Sequence, residues 1–185
     1  MAHIHRGPLN RFRCNVQQQF AEWPNLVTGQ LPKMMLVTMT RSNALIGSHD
    51  TNPLFFHNFD LMHLAAEIDG NIYPTNGYEM DYSNGHYLSA YDGLCRVLEI
   101  FNDPQRGLPF NRFQFAKKGF TIYGFDFTPS GTSRGALTLI KQGNLNLSRK
   151  FRSTLKQPIA VIAYLMFNAT IHINNQRQAI FDFQA

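Results

Sequence analysis

The sequence predicts an all-β fold, a two-sheet sandwich of about eight antiparallel strands with one helix in a long connection. Three observations carry this reading. Thirteen Gly and nine Pro, with abundant Asn, interrupt the chain so often that long helices have little room. The apolar segments between the interruptions are short and rich in β-branched and aromatic residues, the composition of strands. They fall at 34–40, 61–68, 121–127, 145–151, 159–168 and 171–174, with further candidates at 11–18 and 178–183. In one of them Ile171 and Ile173 alternate with His172 and Asn174, the period of a half-buried strand. Finally, a single stretch breaks the pattern: over 87–101, Leu88, Tyr91, Leu94, Cys95, Leu98 and Phe101 recur at steps of three and four, and Asp103-Pro104 stops the helix they predict.

A chain of 185 residues suits one domain with or without an arm. The expected division is an N-terminal arm or edge strand over 1–24 and a single domain over 25–185. Hydrophobic residues at 44% and 16 Phe exclude a disordered chain. Charged residues reach only 16%, against about 25% in an ordinary soluble domain, which suits large surfaces buried against copies of the same chain. The longest apolar run, 159–167, is far short of the roughly 20 residues of a membrane helix. The opening MAHIHRGPLNRFRCN has no apolar stretch and no small-residue cleavage site, so no secretory signal is expected. Cys14 and Cys95 form no paired motif, and reduced intracellular thiols are expected.

Charge is segregated along the chain. Between 42 and 105 stand nine acids and one base, Arg96; between 127 and 181 stand seven bases and no acid. The first nineteen residues add Arg6, Arg11 and Arg13 with no acid. Either the strands interleave and mix these charges, or the subunit is dipolar and its acidic side meets a neighbour's basic side.

No motif makes a strong case for chemistry. Gly131-Thr132-Ser133-Arg134-Gly135 matches the nucleophile elbow, but the residues after it form no amphipathic helix, and no acid precedes a later His as the triad order requires. His3, His5, His49, His57 and His63 lack zinc-site spacing. Asp126 and Asp182, each inside a Phe-Asp-Phe triplet, read as strand-end carboxylates accepting backbone N–H groups rather than as a glycosidase pair. Asn146 and Asn168 match the glycosylation sequon by chance if the chain is not secreted. No enzymatic activity, metal or cofactor is expected.

Several segments in order resemble capsid proteins of Polinton (Maverick) elements and the related adintoviruses. They are GQLPKMMLV from Gly29, GS-x-x-x-NPLFF-H-x-F from Gly47, IDG-x-x-YP from Ile68, KKGFTIYGFDFTP from Lys117, KQGNLNLSRKF from Lys141, and the closing strands over 159–183. The likeness is to the second half of those double jelly-roll major capsid, or hexon, proteins. Two departures stand out: Leu54-Phe55-Phe56 replaces the usual Phe-Asn-Phe after Asn52-Pro53, and family members carry another jelly roll upstream. The chain is thus a single jelly-roll relative, a domesticated copy or a fragment.

The resemblance implies an eight-stranded antiparallel jelly-roll sandwich and a structural role in a shell, in the virion or inside the host cell (nucleus or cytoplasm). It marks Gly29, Gln30, Leu31, Pro32, Asn52, Pro53, Phe56, Gly119, Phe125, Asp126, Pro129 and Gly143 as a structural signature. Their chemistry agrees: Pro32 can open a strand, Asn52-Pro53 is a turn signal, and Phe55, Phe56 and Phe59 are expected as buried anchors. The expected partners are copies of itself, as a homotrimer or larger, and other capsid proteins. Arg6, Arg11 and Arg13 are expected to reach across to a neighbouring subunit, with weak non-specific nucleic-acid contact as a second use and no membrane contact. A lectin-like or peptide-binding module is the alternative function.

Overall fold

The structure is a computed structural model whose described backbone covers residues 2–6, 9–14, 19–47, 49–100, 107–128, 140–173 and 179–182; side chains are described over 19–47, 49–100, 107–128 and 140–167. In chain order the elements are β1 (Ala2–Arg6), β2 (Leu9–Cys14), β3 (Phe20–Gln30), β4 (Met34–Arg41), α1 (Ser42–Ile46), β5 (Leu61–Ile68), β6 (Asn71–Glu79), α2 (Leu88–Val97), α3 (Arg112–Lys117), β7 (Ile122–Asp126), β8 (Gln142–Phe151), β9 (Ile159–Ile173) and β10 (Ala179–Asp182).

Alternation along β8 shows how the layers form. Leu145, Leu147, Arg149 and Phe151 are buried, while the residues between them face outward. β8 lies between β3 and β5, and β6 closes this four-stranded sheet. In the second sheet β4 lies between β9 and β7. β9 also pairs with β2 over residues 159–164, with β1 over 167–171 and with β10 over 170–173. All these pairings are antiparallel, and β2·β9, β3·β8, β4·β7 and β5·β6 nest one inside another. The result is an all-β sandwich of two antiparallel sheets with three short helices among the described residues, broadly jelly-roll-like.

The core is the space between the sheets. Leu64, Ala66, Leu145 and Leu147 from one layer meet Met35, Val37, Tyr123, Phe125, Val161, Ala163 and Leu165 from the other, all at most 2% exposed. Each buried aliphatic or Phe side chain contributes roughly 1.5–3 kcal/mol relative to exposure. α2 then docks on β7 at unusually short range. A Cβ on Gly93 would lie 2.0 Å from the Tyr78 hydroxyl, and one on Gly124 would lie 2.9 Å from the Gly93 carbonyl oxygen. The Tyr78 hydroxyl donates to the Gly124 carbonyl at this contact.

Several expectations are corrected. The described residues hold ten strands where about eight segments were expected: 159–168 and 171–174 are one strand, β1 lies in the segment read as an arm or edge strand, and β3 and β6 were not expected. β3 contains Pro24, Asn25 and Gly29, and β6 contains Pro74, Asn76 and Gly77, residues that read as turns. Both are outer strands of their sheet, with register shifts between Trp23 and Val27 and opposite Leu64 to Ala66, where such residues are tolerated. The expected helix over 87–101 is α2, but it is not alone. α1 is too short for its periodicity to show. α3 has a legible start, a capping box in which Asn111 accepts from the Gln114 N–H at 3.0 Å and the Gln114 side chain accepts from the Asn111 N–H at 2.9 Å.

Candidate functional site

The signature residues fall mostly at joints between strands. Gly29 has φ 106° and pairs with Gly143, and Gln30 pairs with Gln142. The Leu31 N–H then donates to the Lys141 carbonyl at 2.8 Å, and buried Pro32 leads into β4. A Cβ on Gly143 would lie 2.2 Å from Asp69 Oδ2, so its absence lets that carboxylate accept the Asn144 N–H at 3.1 Å. Asn52 Oδ1 accepts from the Leu54 N–H at 2.9 Å, turning the chain at Pro53. Phe125 is buried in the core. Asp126 Oδ1 accepts from the Thr128 N–H at 2.9 Å and from its hydroxyl at 2.7 Å, a strand-end role. Pro129 and the 131–135 elbow match lie outside the described residues, as does the Asp182 side chain.

The feature most suggestive of function is an apolar cap where the 52–57 loop meets the segment after α3. The Phe56 N–H donates to the Gly119 carbonyl at 2.9 Å, and Phe56 and Phe120 form a bridge. Gly119, at φ 83°, lies beneath Phe55, whose ring would be 2.7 Å from any Cβ there. Phe110 stacks on Phe120 with centroids 4.9 Å apart. Nevertheless Leu54 is 72% exposed, Phe113 56%, Phe120 42% and Phe55 37%. The expectation that Phe55, Phe56 and Phe59 are fully buried anchors is therefore wrong: Phe55 is exposed and the other two only half-buried. Phe55 and Phe56 sit on a loop outside the two-layer core, where no second sheet covers them, while Phe59 packs against the core from its side.

Arg112, Lys117 and Lys118 neighbour Phe113 and Phe120 in the chain and are exposed, and residues 107–125 contain no acid. Beside the cap a cavity of about 230 Å³ is lined by Arg41, Asp50, Thr51, Phe55 and His57, among others. Partial burial, aided by the Arg41 charge, lowers the His57 pKa and favours the neutral imidazole. A second cavity of about 200 Å³ is lined by Tyr73, Tyr78, Arg96 and Asp126, with Arg96 held by Asp92 at 2.7 Å. Tyr82 and Tyr123, 2.8 Å apart in the core, are both pushed up by burial and stay neutral. Among the described residues no three His, Cys, Asp or Glu side chains group as metal ligands, and no helix is long and apolar enough to cross a membrane. His63 instead bonds Glu79 at 2.7 Å.

The charge segregation is partly undone in space. Basic β8 lies beside acid-bearing β5, and Arg152 bridges Asp60 at 3.2 Å and Asp81 at 2.9 Å. Asp81 is held below its usual pKa, first by the Asn84 N–H and side chain and then by Arg152. The backbone at Arg6, Arg11 and Arg13 pairs with Phe167, Ile162 and Ala160 of β9 in the same chain. The expectation that this segment reaches a neighbour instead of closing onto its own sheet is corrected; β9 is long enough to pair with both β1 and β2. Sequence reasoning also missed Arg149, which lies in the strand's inward row at 1% exposure with its guanidinium carbon 3.4 Å from the Trp23 ring centroid.

No protein-family model matches the chain. Over 158 residues it is 23% identical to the uncharacterized protein F54H12.2 of Caenorhabditis elegans, a match covering 85% of this chain and 38% of that protein. The chain thus spans well under half the length of this relative. It is also similar to a chain in the 3.5 Å cryo-EM structure of the Sputnik virophage, with a TM-score of 0.49 and 15% identity, covering 97% of this chain and 38% of the other.

Proposed function

We propose that the chain is a capsid-type structural subunit whose strands β2 to β9 form an eight-stranded jelly roll, and that it self-assembles, as a homotrimer or larger, into a shell of viral or transposon-derived origin. The nested strand pairs support the fold, and the ordered motifs resembling Polinton capsid proteins support the origin. The observation that carries assembly is the apolar cap: where the 52–57 loop meets Gly119 and Phe120, and on the preceding α3, four large side chains stand at 37–72% exposure, a kind of surface that protein–protein contacts commonly use.

A lectin-like role fits less well, because the Trp23 ring is engaged by Arg149 rather than offered as a stacking platform. The three arginines of β1 and β2 are proposed as subunit contacts from strands already fixed to β9. Deleting 1–20 would strip two strands from the sheet, so Arg6, Arg11 and Arg13 to Gln is the cleaner variant. Sedimentation velocity over a concentration series, with negative-stain electron microscopy, tests the proposal. Discrete trimers or larger particles are expected; a strict monomer at every concentration overturns it.

A further inference from the structure

We infer that the cap docks on the acidic β5–β6 hairpin of a second copy, a heterologous contact between two different surfaces of the same chain. This rests on the self-assembly reading and names the surfaces that assembly uses.

The two surfaces are complementary in charge and in apolar character. The cap offers Leu54 and Phe113 as its most exposed side chains, with Arg112, Lys117 and Lys118 close to Phe113 in the chain and no acid over 107–125, while Asp50 lies at the cavity on the Phe55 side. The hairpin belongs to a stretch, 42–95, without a single Lys or Arg. On its outer face Glu67 lies directly opposite Ile72, which is 51% exposed, and Glu79 lies opposite His63. Outward orientation follows from register: Glu67 pairs with Asn146 and His63 with Lys150, both in the outward row of β8, whereas Ala66 pairs with buried Leu147. The Glu79 side chain remains 70% exposed despite its bond to His63. An exposed isoleucine opposite Glu67, with Glu79 further along the same face next to His63 and Lys150, suits an aromatic surface flanked by cations.

A contact between unlike surfaces repeats from copy to copy and closes into a ring when its rotation permits. The four cap side chains fall short of the roughly 800 Å² per partner of a standard interface. They form its apolar centre, and the charged residues form its rim.

The test uses the full chain in sedimentation velocity at low salt, with circular dichroism to verify folding. Leu54→Glu with Phe113→Glu, Lys117→Glu with Lys118→Glu, and Glu67→Lys with Glu79→Lys should each weaken association roughly tenfold or more. Combining the two charge reversals in one chain should restore it to within about threefold of wild type. A wild type that assembles while the folded cap variants assemble equally well overturns this contact and leaves self-assembly standing. Reversals that fail to rescue one another also overturn the pairing. A monomeric wild type removes both readings, and if it sediments with phosphatidylserine vesicles but not with phosphatidylcholine vesicles, the cap is a membrane surface instead.

Discussion

The interior between the sheets and the cap hold the same kinds of side chain and treat them oppositely. Leu147, Phe125 and Tyr123 are at most 1% exposed, whereas Leu54, Phe113 and Phe120 are 42–72% exposed. The difference is one of layers. A side chain in the inward row of a strand is covered by the facing sheet, while one on a loop or a six-residue helix has only what its neighbours provide. Apolar composition therefore forecasts burial only after the element carrying it is known. In the cap, the exposed residues are available for contact with another molecule.

The strongest challenge to this contrast is Leu147→Ala, expected to cost about 2–5 kcal/mol of folding stability, whereas Leu54→Ala should cost under about 0.5 kcal/mol. Urea denaturation of both variants measures it, and equal losses would erase the distinction. Next is Gly93→Ala, where a Cβ would meet Tyr78 and Gly124 lies close by; about 1–3 kcal/mol should be lost through overpacking, readable as a lower thermal midpoint. Trp23→Leu removes the ring beneath Arg149 and should cost about 0.5–2 kcal/mol, which tests whether a cation in the inward row is held by stacking.

A smaller effect concerns pH. The Asp81 carboxylate has a folded pKa below its ordinary 3.8, so its stabilisation is complete above that value and is lost as the pH falls through the lower folded one. Arg152→Gln removes the last-named of its supporting partners, so acid unfolding should move to slightly higher pH, with little change at pH 7 beyond the lost ion pairs. An unchanged acid midpoint would show that the Asn84 contacts alone hold the carboxylate. The weakest effect is that of salt. Raising it from about 0.05 to 1 M shortens the screening length severalfold and should weaken association while leaving the fold intact. Salt-independent association would mean that the contacts are chiefly apolar.

Much of the sandwich was legible because β4 and β5 are largely apolar and unbroken and because the apolar residues of β8 alternate from Leu145. The 61–68 expectation coincides with β5, and 34–40 differs from β4 only at Arg41. The outer strands β3 and β6 were hidden by Pro24, Asn25, Pro74 and Gly77, residues that a local reading assigns to turns. Of the cap, the loop at Asn52-Pro53 and the aromatic cluster were visible, but not their exposure. α3 could have been found from Asn111 and Gln114, and its absence from the sequence reading hid the basic side of the surface.

Periodicity and turn chemistry, acting within a few residues, were enough to specify the all-β class, the position of the main helix and the stretches from which the core is drawn. Which strands pair, and thereby which charges meet, depended on the folded chain as a whole. β8 comes beside β5 only because the chain folds back on itself in nested pairs, bringing Arg152 to Asp60 and Asp81. The same folding leaves Phe55 in view and hides Arg149. Burial depends on what arrives from elsewhere in the chain: β3 brings Trp23 to Arg149, and no second layer covers Phe55.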